Sequence, residues 1–361
     1  MNSDQQLNQV RTRINAIDGE LLRLISERAA CAQDVAKIKD AHGESVKYYR
    51  PEREAEILRR IKAENPGPLE DEEVARLFRE IMSACLALEK PLEIGYLGPE
   101  GTFTQAAALK HFGHSVRTQP FGAIGDIFRE VEAGACDYGV VPVENSTEGV
   151  VNHTLDMFMR SPLLIAGEVT LRIHHHLLSV AHEVGAIRRV YSHQQSLAQC
   201  RGWLDRHLPH AERTAVSTNA DAAKLAADDP QAAAVASEAA AELYALQILA
   251  QRIEDEPGNT TRFLVIGPED SPPSGHDKTS MLLSCRNEAG GLHRLLTPFA
   301  QQGISMTRIE SRPSRQGVWD YVFFVDVSGH RELPEVAEAI AELKGAANLC
   351  KVLGSYPEAV L

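Results

Sequence analysis

The sequence predicts three folded units in series: an all-helical unit over residues 1–91, an α/β unit over 92–268 and a small α+β unit over 269–361. Length is the first observation, since 361 residues at roughly 150 per domain exceed what one core accommodates. A pair of seams is the second. Around Pro91 a helical pattern gives way to a strand, and Pro268-Glu269-Asp270-Ser271-Pro272-Pro273-Ser274-Gly275 has the composition of a linker. The third is the apolar period, which is helical before the first seam and alternates between strand-like and helix-like runs after it.

With 43% hydrophobic and 24% charged residues, and no apolar run near the roughly 18 residues of a membrane span, the chain reads as soluble and globular. Asp and Glu number 50 against 37 Lys and Arg, a net charge of −13 that argues against gripping a phosphate backbone. No nucleic-acid or membrane partner is expected. The start, Met1 to Gln6, is polar and lacks the marks of a secretory or transit leader, so a cytoplasmic location is expected. Cys31, Cys85, Cys136, Cys200, Cys285 and Cys350 lie far apart without C-x-x-C spacing, which predicts neither disulfides nor a zinc site, and nothing calls for a cofactor. Sequons at Asn145, Asn152 and Asn259 are set aside, because glycosylation requires secretion.

In the first unit, Leu7, Val10, Ile14, Ile17, Leu21, Leu24, Cys31, Val35 and Ile38 keep helical spacing over residues 4–40. Arg28 stands on that apolar seam, where an unpaired guanidinium is costly, so it needs an anionic partner. Such a helix runs about 50 Å, too long for its unit to cover alone, and an intertwined homodimer or higher homo-oligomer is the expected remedy. Arg28 and Lys39 are roughly 16 Å apart along the axis, close enough for two long side chains to meet one small anion. Arg11 is roughly 25 Å from Arg28 and must serve a different site, in a dimer the partner's. Arg53-Glu54 opens a second helix whose apolar face is Ile57, Leu58 and Ile61, while Cys85 and Glu89, one turn apart, share a face of the third. By themselves these charges also fit the solvated face of a helical bundle. The stretch Arg11 to Glu89 resembles the all-helical chorismate mutase family, with Arg11, Arg28, Lys39, Arg53 and Glu54 on its active-site pattern. Cys85 and Glu89 stand where the bacterial pattern often has Ser and Gln, and Arg50, in the loop 42–50, where Asp is common.

The middle unit repeats a strand, turn and helix start. Ile94 to Leu97 is followed by Gly98-Pro99-Glu100-Gly101 and Thr102-Phe103-Thr104, an arrangement that offers backbone N–H groups to an anion. Tyr138 to Val143 is a buried strand ending in Glu144-Asn145-Ser146, where open α/β sheets place ligands. Val190 to Gln195 leads into a helix carrying Gln199, and the Ala-rich run 220–245 reads as helix. In His174-His175-His176, a strand would set His175 opposite its two neighbours; core or interface histidines are the expectation, not a metal site. Gly98 to Phe103, Glu144-Asn145-Ser146, Ser217-Thr218 and Thr261-Arg262-Phe263, occurring in order, resemble prephenate dehydratase. That resemblance implies two lobes like a periplasmic binding protein, with Asn145, Ser192, Gln199 and Thr261 catalytic and Thr102, Ser146, Thr218, Arg262 and Phe263 close by. Prephenate loses CO2 and water. A strong cation on the departing carboxylate would stabilise the ground state more than the transition state, so neutral donors are expected there. Thr261 is the candidate donor to the leaving hydroxyl, and Arg262 or the backbone near Thr102 the candidate holder of the pyruvyl carboxylate.

From Thr279 the pattern is βαββαβ: strands 279–285, 304–310, 320–327 and 349–355, helices 291–302 and 333–344. Gly290-Gly291-Leu292 and Glu310-Ser311-Arg312-Pro313 resemble the ferredoxin-like ACT regulatory domain, which implies an amino-acid effector. Glycines at a helix start suit its carboxylate and Glu310 its ammonium. Together the three resemblances imply a bifunctional enzyme that turns chorismate into prephenate and prephenate into phenylpyruvate, with phenylalanine as effector. Arogenate as substrate, and a non-catalytic sensor, stay open at this level.

Overall fold

The computed structural model describes residues 3–41, 48–313 and 321–361; residues 42–47 of the 42–50 loop and Asp320, the predicted start of a strand, lie outside them. In the first unit α1 (Ser3–Ala41) packs on α3 (Asp71–Glu89), which packs on α2 (Pro51–Glu64). Pro51 opens α2, where a missing N–H costs nothing. The shared core is small, with Leu58, Ala75 and Met82 buried, whereas Leu7, Val10, Ile14, Ile17, Leu21 and Leu24 of α1 stay 46% to 57% exposed. Val360 and Leu361 pack on the same core, and Lys62 Nζ donates to Val360 O at 3.1 Å.

The middle unit has two lobes. Lobe one comprises β1 (Glu93–Leu97), α4 (Phe103–Phe112), β2 (Arg117–Phe121), α5 (Ile124–Glu132), β3 (Tyr138–Asn145), β4 (Gly149–Val150), α6 (Asn152–Phe158) and β5 (Leu164–Arg172). Lobe two follows with β6 (His176–Ser179), β7 (Arg189–His193), α7 (Gln194–Gln199), α8 (Arg201–His207), β8 (Glu212–Val216), α9 (Asn219–Ala227), β9 (Ala232–Ala236), α10 (Glu238–Leu243) and β10 (Gln247–Ala250). The chain then returns to lobe one as β11 (Thr260–Gly267). Strand orders are β2-β1-β3-β11-β5, with β4 on β3, and β10-β6-β9-β7-β8. Because β11 enters antiparallel between β3 and β5, its first residues sit at the boundary of the two lobes.

Two expectations are corrected. The run 220–245 is not one helix: α9 ends at Ala227, and all five residues of β9 are buried at the centre of its sheet. Alanine's preference for helix is a fraction of about 1 kcal/mol per residue, less than the drive to bury a central strand. The three histidines do not alternate along one strand either, since β5 ends at Arg172 and β6 begins at His176. His175 is 1% exposed and His176 is buried.

The last unit runs β12 (Asp277–Ser284), α11 (Gly291–Gln301), β13 (Met306–Pro313), β14 (Tyr321–Ser328), α12 (Pro334–Ala346) and β15 (Leu349–Pro357), the predicted βαββαβ order. Its antiparallel sheet is ordered β13-β14-β12-β15. At Gly354 (φ +149°), β15 comes so close to β5 that a Cβ would lie 2.3 Å from Ile165 O, so only glycine fits. One apolar core runs through the contact, joining Ile165 and Leu264 to Leu282, Phe324 and Tyr356.

Candidate active sites

In the helical unit Lys39 Nζ lies 3.4 Å from Glu89 Oε2, both side chains mostly covered. Glu54 is paired with Arg79 at 2.7 Å, without the alignment of a hydrogen bond. Burial pushes the Glu54 carboxyl above its ordinary range, opposed by the charges of Arg79 and Arg28. Arg28 is thus within electrostatic reach of the Glu54 carboxyl. Cys85 is buried, beside an apolar groove lined by Ile25, Ala29 and Leu88. Arg53 and Arg11 are exposed, Arg11 on the N-terminal half of α1 away from the other charges. Arg79 was not foreseen, although it carries the signal that marked Arg28: it is a cation on the buried stripe of α3 between Ala75 and Met82.

A cleft of about 500 Å³ separates the two lobes, lined among others by Thr102, Asn145, Gln199, Thr218 and Thr261. Local sequence sets each of these. Thr102 caps α4 by accepting from Gln105 N, and Thr218 caps α9 by accepting from Asp221 N at 3.0 Å, so both helices start at the cleft. Asn145 closes β3, and its Oδ1 accepts from Thr147 N and Glu148 N, each at 3.0 Å. Its Nδ2 then donates to Thr261 Oγ1 and to Asn259 Oδ1, both at 2.8 Å. Gln199, at the end of α7, accepts from Asn259 Nδ2 at 3.2 Å and meets His175 Nε2 at 2.8 Å. No lysine or arginine is among the described lining residues, and Glu148 is their one carboxylate.

Other predicted residues stand elsewhere. Ser192 is fully buried behind the cleft, 2.8 Å from Asn219 Oδ1 and 2.6 Å from Val235 O, and so steadies Asn219, which does line it. Ser146 accepts from Thr260 N at 2.9 Å, tying the turn after β3 to β11. Phe263 is core, with Val140 and Val169. Arg262, expected to hold a substrate carboxylate, instead reaches Glu168 at 2.9 Å, Asp326 at 2.6 Å and Tyr356 Oη at 3.0 Å. Strand alternation explains this: Thr261 faces the cleft, so Arg262 faces the C-terminal sheet. The Glu168 and Asp326 carboxylates hold its guanidinium charged against the cost of burial. Asn259, Glu148, Asn219 and His175 were missed as site residues, although Asn259 heads the run that carries Thr261, Glu148 follows Glu144-Asn145-Ser146 at the end of a strand, and His175 stands in the histidine run.

In the last unit Gly290 (φ +77°) precedes α11, and a Cβ on Gly291 would lie 2.8 Å from Arg286 O. Leu292 is 39% exposed. Glu310, Ser311 and Pro313 lie on β13, the sheet's edge strand, whereas Arg312 donates to Asn152 O and pairs with Asp156 of α6 at 2.9 Å. Among the described residues no group of three His, Cys, Asp or Glu is disposed to hold a metal ion, and no helix is long and apolar enough to cross a membrane.

Comparison with known proteins matches residues 10–90 to chorismate mutase type II, 94–271 to prephenate dehydratase and 279–345 to the ACT domain. A bifunctional chorismate mutase/prephenate dehydratase of Stutzerimonas stutzeri is 58% identical over 365 residues, covering 100% of both chains. Among solved structures, a prephenate dehydratase of Arthrobacter aurescens in complex with L-Phe is 33% identical with a TM-score of 0.69, covering 74% of this chain and 90% of its own. A chain described as a quorum-quenching acylase is 29% identical with a TM-score of 0.68, covering 74% of this chain and 98% of its own. Full-length identity above half, carried through all three units in the same order, makes this chain a member of the bifunctional chorismate mutase/prephenate dehydratase family, with an ACT domain following its second catalytic unit.

Proposed function

We propose that the mutase reaction is carried by Arg28, Lys39, Arg53, Glu54, Cys85 and Glu89 of one chain with Arg11 of a second, and the dehydratase reaction by the interlobe cleft around Thr261. The apolar stripe of α1, half exposed in one chain, supports an intertwined homodimer, and we place that dimer in the cytoplasm. As chorismate rearranges, negative charge gathers on the ether oxygen, and Lys39, whose ammonium lies 3.4 Å from Glu89, supplies a donor there.

In the cleft, the observation that carries the reading is the direction of the Asn145–Thr261 bond. Two backbone N–H groups occupy the Asn145 oxygen, so its amide donates and Thr261 accepts. The Thr261 proton remains available to the leaving hydroxyl of prephenate. The ring carboxylate departs as CO2 through a lining without lysine or arginine, which keeps the ground state from being held too tightly. With Arg262 committed to the C-terminal sheet, the pyruvyl carboxylate falls to the first-turn N–H groups of α4 beside Thr102. Phenylalanine, bound at the Gly290–Leu292 turn and the Glu310 strand where two ACT sheets adjoin, is the effector. Purified chain given chorismate should accumulate prephenate and then phenylpyruvate, the second step slowing with added phenylalanine; phenylpyruvate formation indifferent to phenylalanine would remove the effector from the reading. Glu148 favours one alternative, since a carboxylate at the cleft suits the ammonium of arogenate. Competition between arogenate and prephenate decides it.

A further inference from the structure

The cleft amides form a chain with a fixed direction. A backbone N–H only donates, so the two that reach Asn145 Oδ1 fix that side chain, and each later link inherits the sense. Asn145 donates to Asn259 Oδ1, Asn259 to Gln199 Oε1, and the Gln199 oxygen takes a second bond from His175 Nε2. The imidazole must therefore carry its proton on Nε2. Its Nδ1 is then a bare lone pair, buried with no hydrogen-bond partner among the described residues. Protonation there would leave a donor unmatched, and burial holds the ring neutral. The backbone fixes the ring's place: His175 N donates to Glu254 Oε2 at 2.9 Å, and the ring meets Phe103 of lobe one edge-on at 5.6 Å.

We propose that His175 is a positioning residue of the dehydratase reaction. As the neutral Nε2–H form it makes the shorter of the two bonds that orient Gln199, 2.8 Å against 3.2 Å, and so keeps the Gln199 amide N–H groups turned toward the cleft and Glu148. The inference rests on the reading of the cleft given above, and it concerns a residue that acts on substrate only through Gln199.

The test uses the full-length enzyme, whose mutase activity reports on folding in every preparation. His175→Phe keeps the ring and its contact with Phe103 but removes the donor; it should lower dehydratase kcat roughly 10- to 100-fold with KM changed less than about threefold. His175→Gln places an N–H at similar reach and should recover turnover to within about fivefold of wild type, whereas His175→Asn, one methylene shorter, should not. In a Gln199→Leu background, His175→Phe should cost nothing further, because both act through one group. Normal dehydratase turnover in His175→Phe, equal turnover in the Gln and Asn variants, or additive losses in the double variant would each overturn the proposal. If Gln199→Leu itself turned over normally, the reading of the cleft would fall and the proposal with it. Should His175→Phe also lose mutase activity, the Gln and Asn pair carries the test.

Discussion

A threonine hydroxyl has one proton and two lone pairs, so the direction of the bond from Asn145 decides what Thr261 can offer a substrate. Thr261→Ala should therefore abolish most dehydratase turnover while mutase turnover in the same protein stays near wild type; a parallel loss of both would point to misfolding. At the other site, Glu89 sits against Lys39, and an ionised carboxylate there both occupies that cation and repels charge developing on the ether oxygen. Glu89→Gln replaces that carboxylate with an amide that can donate, and should raise mutase turnover while leaving dehydratase turnover unmoved, which steady-state rates of both activities will show. Asn145, Gln199, Thr218 and Thr261, which the family resemblance implied, all line the cleft, three of them in motifs at strand ends or a helix start and Gln199 at the end of α7. Arg262 does not. A cation beside a catalytic hydroxyl looks like an anion holder until its partners Asp326 and Tyr356 are seen, 64 and 94 residues further on.

Among the elements, α1 was readable almost to the residue, because a three-four apolar period over that length has no strand interpretation. So was the C-terminal βαββαβ order. The Ala-rich run failed, since composition alone does not tell a helix from a strand buried on both faces. The length of α1 also sets a prediction. If Arg11 completes a partner's site, mixing inactive Arg11→Ala and Arg28→Ala chains under subunit exchange should restore mutase activity to about a quarter of wild type, one intact site forming in each mixed dimer. No recovery despite demonstrated exchange would exclude sharing.

For the whole molecule, the cluster around Arg262 joins dehydratase strands to the ACT sheet: Glu168 also takes Lys278 at 2.7 Å, and Asp326 takes Ser280 at 2.6 Å. Removing the guanidinium leaves two buried carboxylates short of a cation, so Arg262→Met should cost about 3–5 kcal/mol in denaturant unfolding. Acid should loosen the molecule too. Burial lowers the pKa of both His111 and His175 below the ordinary value, so below about pH 6.5 the unfolded chain binds more protons than the folded one. Stability should fall by up to about 1.4 kcal/mol per pH unit for each histidine, and unfolding measured at about pH 7 and about pH 5.5 checks the sign.

Thr261 and Arg262 are consecutive, one lining the cleft and the other bound into the C-terminal sheet. The link between them is a single planar amide, whose geometry yields only at high cost. Side chains in a core can change rotamer and absorb a shift; a peptide plane has no such slack. A tilt of that sheet reaches the plate through the Arg262 side chain, and because Glu168, Asp326 and Tyr356 hold its guanidinium, the part of the shift that its rotamers do not absorb passes to the backbone carrying the reacting hydroxyl, where a hydrogen bond weakens over tenths of an ångström.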